Sequence, residues 1–461
     1  MRTFVGLLRP VTALLLASAI ATLGHGLLSG LVPIRGQIEG FTSLAIGVLG
    51  SANYAGFLIG CVLTPALVAR VGHIRSIAAI TAMLAVFPLL FVLSDSLWAW
   101  LIARFGTGFG FSAFLVAIES WLAGASNVET RGRVMSVYLM LHQVMFVIGL
   151  QLMGFADPAT FALFSVVAIL FSVSAIPISL TGTVAPPLPR KPKIRLAWII
   201  GVSPAAAIGC FLNGLTNAAV LSLAPIYAQS VGFDVAGVAA LIAVAMLAGA
   251  AAQIPIGTAS DRLGRRPMLV FSGLMSSAGG AALFLVSIMG LGQVAVFLAM
   301  ALYGAMSFAI YGLAVAHAND LVAKKRAVEV SSALMLIYSF GAVAGPFIAS
   351  IAMETISPAA LFLYTAICHA MLASVVFIRR QMRPVLPRKR RRRFRAITRT
   401  TTPAVYGLDP RAEPPPEAAA PETVVEALEQ ADASSAEGEG GDARGDVMYS
   451  DLAAADRPAK V

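Results

Sequence analysis

Twelve long apolar runs occupy most of this sequence, near residues 11–34, 44–69, 75–94, 97–123, 133–156, 159–181, 198–228, 235–258, 268–288, 291–319, 328–352 and 357–378. A helix needs about 20 apolar residues to cross a hydrocarbon layer roughly 30 Å thick, and each run is long enough. The chain is 58% hydrophobic and 12% charged, whereas soluble domains carry about 25% charged residues. We therefore predict an all-α membrane protein with twelve transmembrane helices.

The basic residues of the first 378 positions predict the orientation of these helices. When the connections are assigned alternately to two sides, nearly all Lys and Arg fall on one side, and Arg35 is the exception. Cytoplasmic loops retain positive charge, so we expect both termini in the cytoplasm and the protein in the inner membrane. Because most of the remaining basic excess sits in one short segment, the net charge of +10 does not indicate a nucleic-acid-binding protein.

Two short motifs recur at the same spacing of 192 residues. The segment Leu31–Ile34 matches Leu223–Ile226, and Arg70–Gly72 matches Arg262–Gly264. A shared register predicts two pseudo-symmetric six-helix halves, residues 1–182 and 198–378, joined by a cytoplasmic linker at residues 183–197. Halves of this kind move about a site at their interface, which produces alternating access.

The composition changes after the last apolar run. Residues 379–399 form a basic juxtamembrane segment, and we expect Arg388 to Arg395 to contact anionic lipid headgroups rather than nucleic acid. Residues 400–461 are acidic and rich in Pro, Ala, Glu, Gly and Ser, with too few large apolar residues to form a core. We predict that this tail is disordered.

The connection between the eighth and ninth runs carries a recognisable motif. Gly257–Arg266 resembles the signature loop G-x-x-x-D-R-x-G-R-R of the major facilitator superfamily, and Arg104–Gly110 is similar to its R-x-x-x-G-x-G pattern. Further segments resemble the YcaD-like branch of that superfamily: Arg9-Pro10-Val11, Glu119-Ser120, Arg131-Gly132-Arg133 and Gly341 with Gly345-Pro346. The resemblance implies the twelve-helix, two-half transporter fold.

The resemblance also implies a conformational gate at the cytoplasmic side. Asp261 is expected near Ser331 when that side is closed, and the arginines that follow it could pair with Glu119 and Glu329. The alternative is that these arginines only anchor the loop in the cytoplasm. The first half retains Arg70 and Gly72 but has Ala69 and Pro65 at the acidic and glycine positions. The predicted gate residues are Gly257, Asp261, Arg262, Gly264, Arg265, Arg266, Arg70 and Gly72.

Two charged residues within the runs are candidates for binding or coupling. A charged side chain at the centre of the bilayer costs about 2.5–3.5 kcal/mol, so Arg104 should face a central cavity and could hold a substrate anion or carbonyl. The alternative is an arginine that reaches the outer interface. Glu119 lies near the cytoplasmic end of the same run and is a gate partner or a proton carrier.

Neutral polar residues complete the candidate site. His25 aligns with Asn217 in the repeat, and resemblance places the first and seventh helices at the cavity, so His25, Asn213 and Asn217 are candidate substrate contacts. His142 lies near the middle of the fifth run. Hydrogen bonding between helices is the alternative for His25, Asn213 and Asn217, and packing is the alternative for His142.

These features predict a secondary active transporter rather than an enzyme. The sequence carries no catalytic, cofactor-binding or metal-binding motif, and no nucleotide motif that would indicate ATP-driven transport. We expect a small organic molecule as substrate, with proton-coupled efflux as the first interpretation. Proton-coupled import of a nutrient such as a vitamin or organic acid is the second, and a non-transporting receptor or scaffold is the third.

Overall fold

A computed structural model describes residues 11–126, 130–181, 195–323, 326–382 and 402, and the elements in this part of the chain are helical. Twelve helices are long and apolar enough to span a membrane, as the sequence predicts, and we number them spans 1 to 12. They are Thr12–Ile38, Ser43–Val71, His73–Leu93, Leu97–Gly124, Arg131–Phe155, Ala162–Ser179, Pro204–Ser230, Val235–Leu263, Arg265–Met289, Gln293–Asp320, Ala327–Thr355 and Ala360–Gln381.

Some spans contain breaks that hydropathy alone does not locate. Span 5 is the α-helix Arg131–Gln151 followed by a 3-10 turn at Leu152–Phe155, and span 6 consists of Ala162–Val173 and Ile176–Ser179. The predicted run at 198–228 is two helices, Leu196–Val202 and Pro204–Ser230, because Pro204 has no N–H to continue the first one. The last helix extends to Met382 and so includes the start of the predicted basic segment.

The two-half repeat is visible in the helix boundaries. Spans 1 and 7, and likewise spans 2 and 8, begin and end at positions that differ by 192 residues. Gly72 (φ 84°) and Gly264 (φ 111°) occupy equivalent turns between consecutive spans, where the backbone adopts a conformation that favours glycine. Thr42 and Asp234 are equivalent N-caps, each accepting a hydrogen bond from the backbone N–H three residues later. The repeat therefore extends from sequence to turn geometry.

Glycines allow particular helices of each half to pack backbone against backbone. A Cβ at Gly26 would overlap the Phe146 carbonyl, joining spans 1 and 5. At Gly108 it would overlap the Asn53 carbonyl of span 2, and at Gly214 the Tyr338 carbonyl of span 11. Membrane helices associate closely where such small residues meet, so these pairs form the rigid frame of each half.

The halves meet through spans 2 and 11. Close packing of Gly47 against Ser350 leaves no room for a Cβ at Gly47. Two hydrogen bonds also join these spans, from the Leu44 N–H to Glu354 Oε2 (3.4 Å) and from the Phe347 N–H to Ser51 Oγ (3.2 Å). These contacts lie toward the end of the bundle at which span 2 begins, which we call the opposite end. The end carrying the turns at Gly72 and Gly264 is the basic end.

Several predicted segments fall partly or wholly outside the described residues. This group contains residues 183–194 of the predicted linker, Arg388 to Arg395 and the tail at 400–461. Thr402 is the exception in the tail, since it is described and fully buried.

Candidate functional site

A central cavity lies between the two halves, at mid-depth in the bundle. Its volume, counted as the space that the centre of a water molecule can occupy, is about 70 Å³. Spans 1, 2, 4 and 5 contribute from the first half, and spans 7 and 11 from the second. The lining residues are His25, Ser29, Asn53, Tyr54, Phe57, Arg104, Phe111, His142, Phe146, Leu221, Ser222, Met335, Tyr338, Ser339 and Ala342.

Among the described residues of this lining, Arg104 is the only one with a charged side chain, and it is 4% exposed. Within the described part of the chain, its Nε and Nη1 atoms have no hydrogen-bond partner. The described lining includes no carboxylate that could neutralise it. A buried charge of this kind is costly unless it is paired, so the cavity is electrostatically suited to an anion or to a group rich in acceptor oxygens.

Two histidines and an aromatic ring lie beside each other in the cavity. The His25 ring stacks on Phe111 with centroids 3.7 Å apart and an interplanar angle of 10°, and the His142 ring lies 6.3 Å from Phe111. His25 Nδ1 and both ring nitrogens of His142 lack partners among the described residues. The sequence candidates Arg104, His25 and His142 thus share one cavity and have polar atoms available for a ligand.

The other predicted contacts in span 7 lie elsewhere. Asn213 and Asn217 do not line the cavity, because their amides bond to each other and Ser307 Oγ donates to Asn217 Oδ1 (3.2 Å). Ser307 Oγ is also 3.3 Å from His369 Nε2. These residues form a buried polar cluster inside the second half, which we call the second-half cluster: Asn213, Thr216, Asn217, Ser307 and His369. In this structure the two asparagines therefore lie outside the described cavity lining, and their contact with substrate stays a prediction.

Glu119 is fully buried in span 4, on the basic-end side of the cavity. The Tyr138 hydroxyl donates to its Oε1 atom (2.8 Å). The backbone N–H of Thr402 lies 3.1 Å from Oε2, and the Thr402 hydroxyl also donates to Oε2. Glu119 thus binds a residue far along the chain, instead of the arginines of the 8–9 loop that the sequence suggested.

The predicted gate residues at the basic end of the second half form an ion network. Arg265 Nη1 lies 2.5 Å from Asp261 Oδ1, and Arg265 Nε lies 3.1 Å from Asp320 Oδ2. This arginine therefore joins the end of span 8, the start of span 9 and the end of span 10. Glu329 pairs with Arg195 at 3.8 Å, and Ser331 Oγ accepts from Asn319 at 3.3 Å. The contacts described for Glu119 and Glu329 are thus with other residues, and their pairing with the loop arginines, expected when the cytoplasmic side is closed, stays a prediction.

The equivalent turn of the first half is built differently. Ala69 and His73 occupy the positions that Asp261 and Arg265 occupy in the repeat. His73 is buried, and its Nε2 lies 3.0 Å from Ser120 Oγ. Gly72 still provides the turn beside Arg70, so the backbone of the motif is repeated without its ion network.

Sequence reasoning missed several residues of the cavity. Asn53 and Tyr54 lie in the middle of span 2, and Tyr338 and Ser339 in the middle of span 11. Polar side chains at mid-depth in an apolar run were the available signal. These are also the spans through which the halves meet, which explains why their mid-depth residues reach the shared cavity.

Comparison with known proteins agrees with the fold and the motifs. The Major Facilitator Superfamily profile matches residues 14–203 and 206–414. An uncharacterised MFS-type transporter of Enterobacter sp. (strain 638) is 28% identical over 80% of this chain and 94% of its own length. The uncharacterised MFS-type transporter YcaD of Escherichia coli is 27% identical over 80% of this chain and 94% of its own length.

Solved structures share the architecture at low sequence identity. The nucleoside transporter NupG aligns with a TM-score of 0.63 at 14% identity, covering 80% of this chain and 98% of NupG. A bacterial homologue of the human lysosomal transporter Spinster, in an inward-facing and occupied conformation, aligns with a TM-score of 0.65 at 16% identity over 85% of this chain and 98% of that one. The family profile matches most of the chain, and the structure has the twelve spans, the two repeated halves and the cavity between them. This multi-pass inner-membrane protein is therefore a member of the major facilitator superfamily, a family of transporters and not of enzymes.

Proposed function

We propose that this transporter imports a small organic anion together with protons. The observation that carries the proposal is Arg104, a buried cation with unpartnered N–H groups in a cavity whose described lining has no acidic side chain. A carboxylate or similar group would accept charge-assisted hydrogen bonds from it, each worth about 1.5–3 kcal/mol. A cationic substrate would instead be repelled by Arg104.

The other lining residues favour an anion with a flat apolar body. Phe57, Phe111 and Phe146 line the first-half side of the cavity, and Tyr338 lines the second-half side. Aromatic rings provide large apolar surfaces with defined stacking geometry. An aromatic or unsaturated organic acid would place its acid group at Arg104 and its body against these rings.

The histidines favour symport. Protonation of His25 or His142 would add a positive charge beside the place proposed for the anion, so a proton and an anion would each favour binding of the other. Mutual reinforcement is the requirement for moving both in one direction, whereas an antiporter needs the two to compete. An inward proton gradient would then drive uptake of the anion against the membrane potential.

Proton-coupled efflux is the second candidate, and Glu119 is the observation that favours it. This carboxylate is buried within a span, hydrogen-bonded to Tyr138, and lies between the cavity and the basic end. Protonation would remove its charge, which is the behaviour expected of a carrier that exchanges protons for substrate.

Alternating access is supported by the packing of the halves at the opposite end. Gly47 and Ser350 lie in direct contact there, and the positive-inside pattern predicts that this is the periplasmic end. A state closed at that end corresponds to the inward-facing stage of transport, the state named for the Spinster homologue.

The test uses purified protein in liposomes with an imposed inward proton gradient. A panel of labelled aromatic and aliphatic carboxylic acids and cationic dyes is offered outside, while an internal dye reports pH. We expect uptake of one or more acids, with internal acidification beyond the passive leak. Arg104→Gln should weaken the apparent affinity for the acid roughly 10- to 100-fold, so that uptake falls to near background at low substrate concentration. Arg133→Gln, which removes an exposed arginine at the basic end, should leave uptake unchanged.

The opposite outcomes are equally defined. If substrate uptake instead releases protons from the liposome, the protein exchanges the two, and the efflux mechanism is correct in place of import. Transport of cationic dyes that survives in Arg104→Gln would overturn the anion assignment. If no compound of the panel is transported, the interpretation as a receptor or scaffold is favoured over the interpretation as a transporter.

A further inference from the structure

A second pocket lies at the basic end, in the second half and away from the central cavity. It is formed where span 7 begins, span 9 begins, and spans 10 and 12 end. Its lining residues are Val202, Ser203, Pro204, Ala205, Arg266, His317, Leu321 and Arg379. None of the residues proposed to bind the transported anion belongs to it.

The described lining of this pocket is cationic. Arg266 and Arg379 are half-buried at its edge, His317 is 4% exposed, and none of its residues carries a carboxylate. The neighbouring Arg265 is bound to both Asp261 and Asp320, so those two carboxylates are already engaged with a cation. The charged residues described in the lining, Arg266 and Arg379, are therefore both basic.

The first turn of span 7 adds neutral donors. The first helical N–H with an intrahelical acceptor here is that of Ala207, which bonds to the Ser203 carbonyl at 3.0 Å. Helix geometry leaves the N–H groups of Ala205 and Ala206 without such an acceptor, at the positive end of a 27-residue helix.

Ser203 supplies independent evidence that the pocket is built for a ligand. Its side chain is 2% exposed, yet its Oγ atom has no hydrogen-bond partner among the described residues. Buried hydroxyls are normally bonded, because an unmet one costs about 1–3 kcal/mol. A ligand oxygen in the pocket would satisfy this hydroxyl.

We propose that this pocket binds a phosphate group. Arginine side chains suit the paired oxygens of phosphate, and a helix N-terminus is a general binding site for such anions. The ends of four spans surround the pocket, so a lipid headgroup at the membrane surface and free inorganic phosphate are the two sources of the group. The proposal does not depend on which substrate the central cavity carries.

The experiment measures saturable binding to the full-length protein in detergent, by thermal stabilisation and by native mass spectrometry. One arm adds short-chain phosphatidylglycerol, a second adds inorganic phosphate, and short-chain diacylglycerol is the control without phosphate. The variants are Arg379→Gln and Ser203→Ala. Arg380→Gln is the matched control, since Arg380 is adjacent, equally charged and exposed.

We expect one saturable phosphate-dependent event, weakened about tenfold by Arg379→Gln and several-fold by Ser203→Ala, and changed less than twofold by Arg380→Gln. Binding of phosphatidylglycerol alone would assign the site to lipid, and binding of inorganic phosphate alone would assign it to the free anion. The proposal fails if neither binds, if diacylglycerol binds equally well, or if Arg380→Gln weakens binding as much as Arg379→Gln does.

Discussion

The two halves share a backbone plan but use their buried polar residues in opposite ways. In the first half, Arg104, His25 and His142 direct unpartnered polar atoms into the central cavity. In the second half, Asn217, Ser307 and His369 bond mainly to one another. In the central cavity, the first half supplies the charged and histidine side chains, whereas the equivalent region of span 7 uses its amides to hold the helices of the second half together.

Arg104→Gln should produce the largest change and tests the first-half side of this comparison. Loss of a charge-assisted hydrogen bond is worth about 1.5–3 kcal/mol, so we expect the apparent substrate affinity to fall roughly 10- to 100-fold. Thermal stability should not decrease, because the removed group is a buried charge without a protein counter-charge in the described lining. Uptake kinetics and melting curves on the same preparation check both statements.

His369→Leu should have the converse effect on the second half. The Thr216 and Ser307 hydroxyls would lose a ring nitrogen, and the Thr365 carbonyl its partner, which destabilises the fold by about 1–3 kcal/mol. The KM for substrate should stay unchanged, and so should the transport rate per folded molecule. His142→Leu is the matched variant: it should alter the dependence of transport on external pH and leave stability near the wild-type value. If the two histidine variants behave alike, the comparison between the halves is wrong.

Asp261→Asn should have a smaller effect, and it tests the difference between the two turns. The change weakens one of two ion pairs of Arg265 and keeps the second, with Asp320. We expect the transport rate to fall about three- to tenfold with normal amounts of protein in the membrane, since asparagine can still accept a hydrogen bond from Arg265 and the net loss is about 1 kcal/mol. Ala69→Asn, at the equivalent position without an ion network, should leave the rate unchanged. Equal losses in both variants would contradict the assigned asymmetry.

Thr402→Val should have the smallest effect. The variant removes the hydroxyl that donates to Glu119 but keeps the backbone N–H, which lies 3.1 Å from the same carboxylate oxygen. We expect a change of about twofold in transport rate, measured beside Thr400→Val as a control from the same segment. A larger loss in the control than in Thr402→Val would remove any specific role for this contact.

Hydropathy and repeat spacing were sufficient to predict the twelve spans, because hydrocarbon thickness fixes helix length and charged connections mark the ends. Resemblance and depth brought Arg104, His25 and His142 to one cavity. The same reasoning did not predict that Asn213 and Asn217 turn toward the interior of the second half, since a helix that is apolar on all sides gives no indication of which way a polar side chain turns. Asn217 accepts a hydrogen bond from Ser307 in span 10, and Ser307 in turn contacts His369 in span 12. No local pattern links such distant positions.

The contact between Thr402 and Glu119 affects how samples of this protein should be prepared. A shortened chain ending after the last helix would keep all twelve spans and would be a natural choice for crystallisation. It would also remove an N–H and a hydroxyl from a carboxylate that is fully buried inside the bundle. Full-length and shortened preparations would therefore differ in the surroundings of an acidic group within the membrane, and kinetic constants obtained on one should not be transferred to the other.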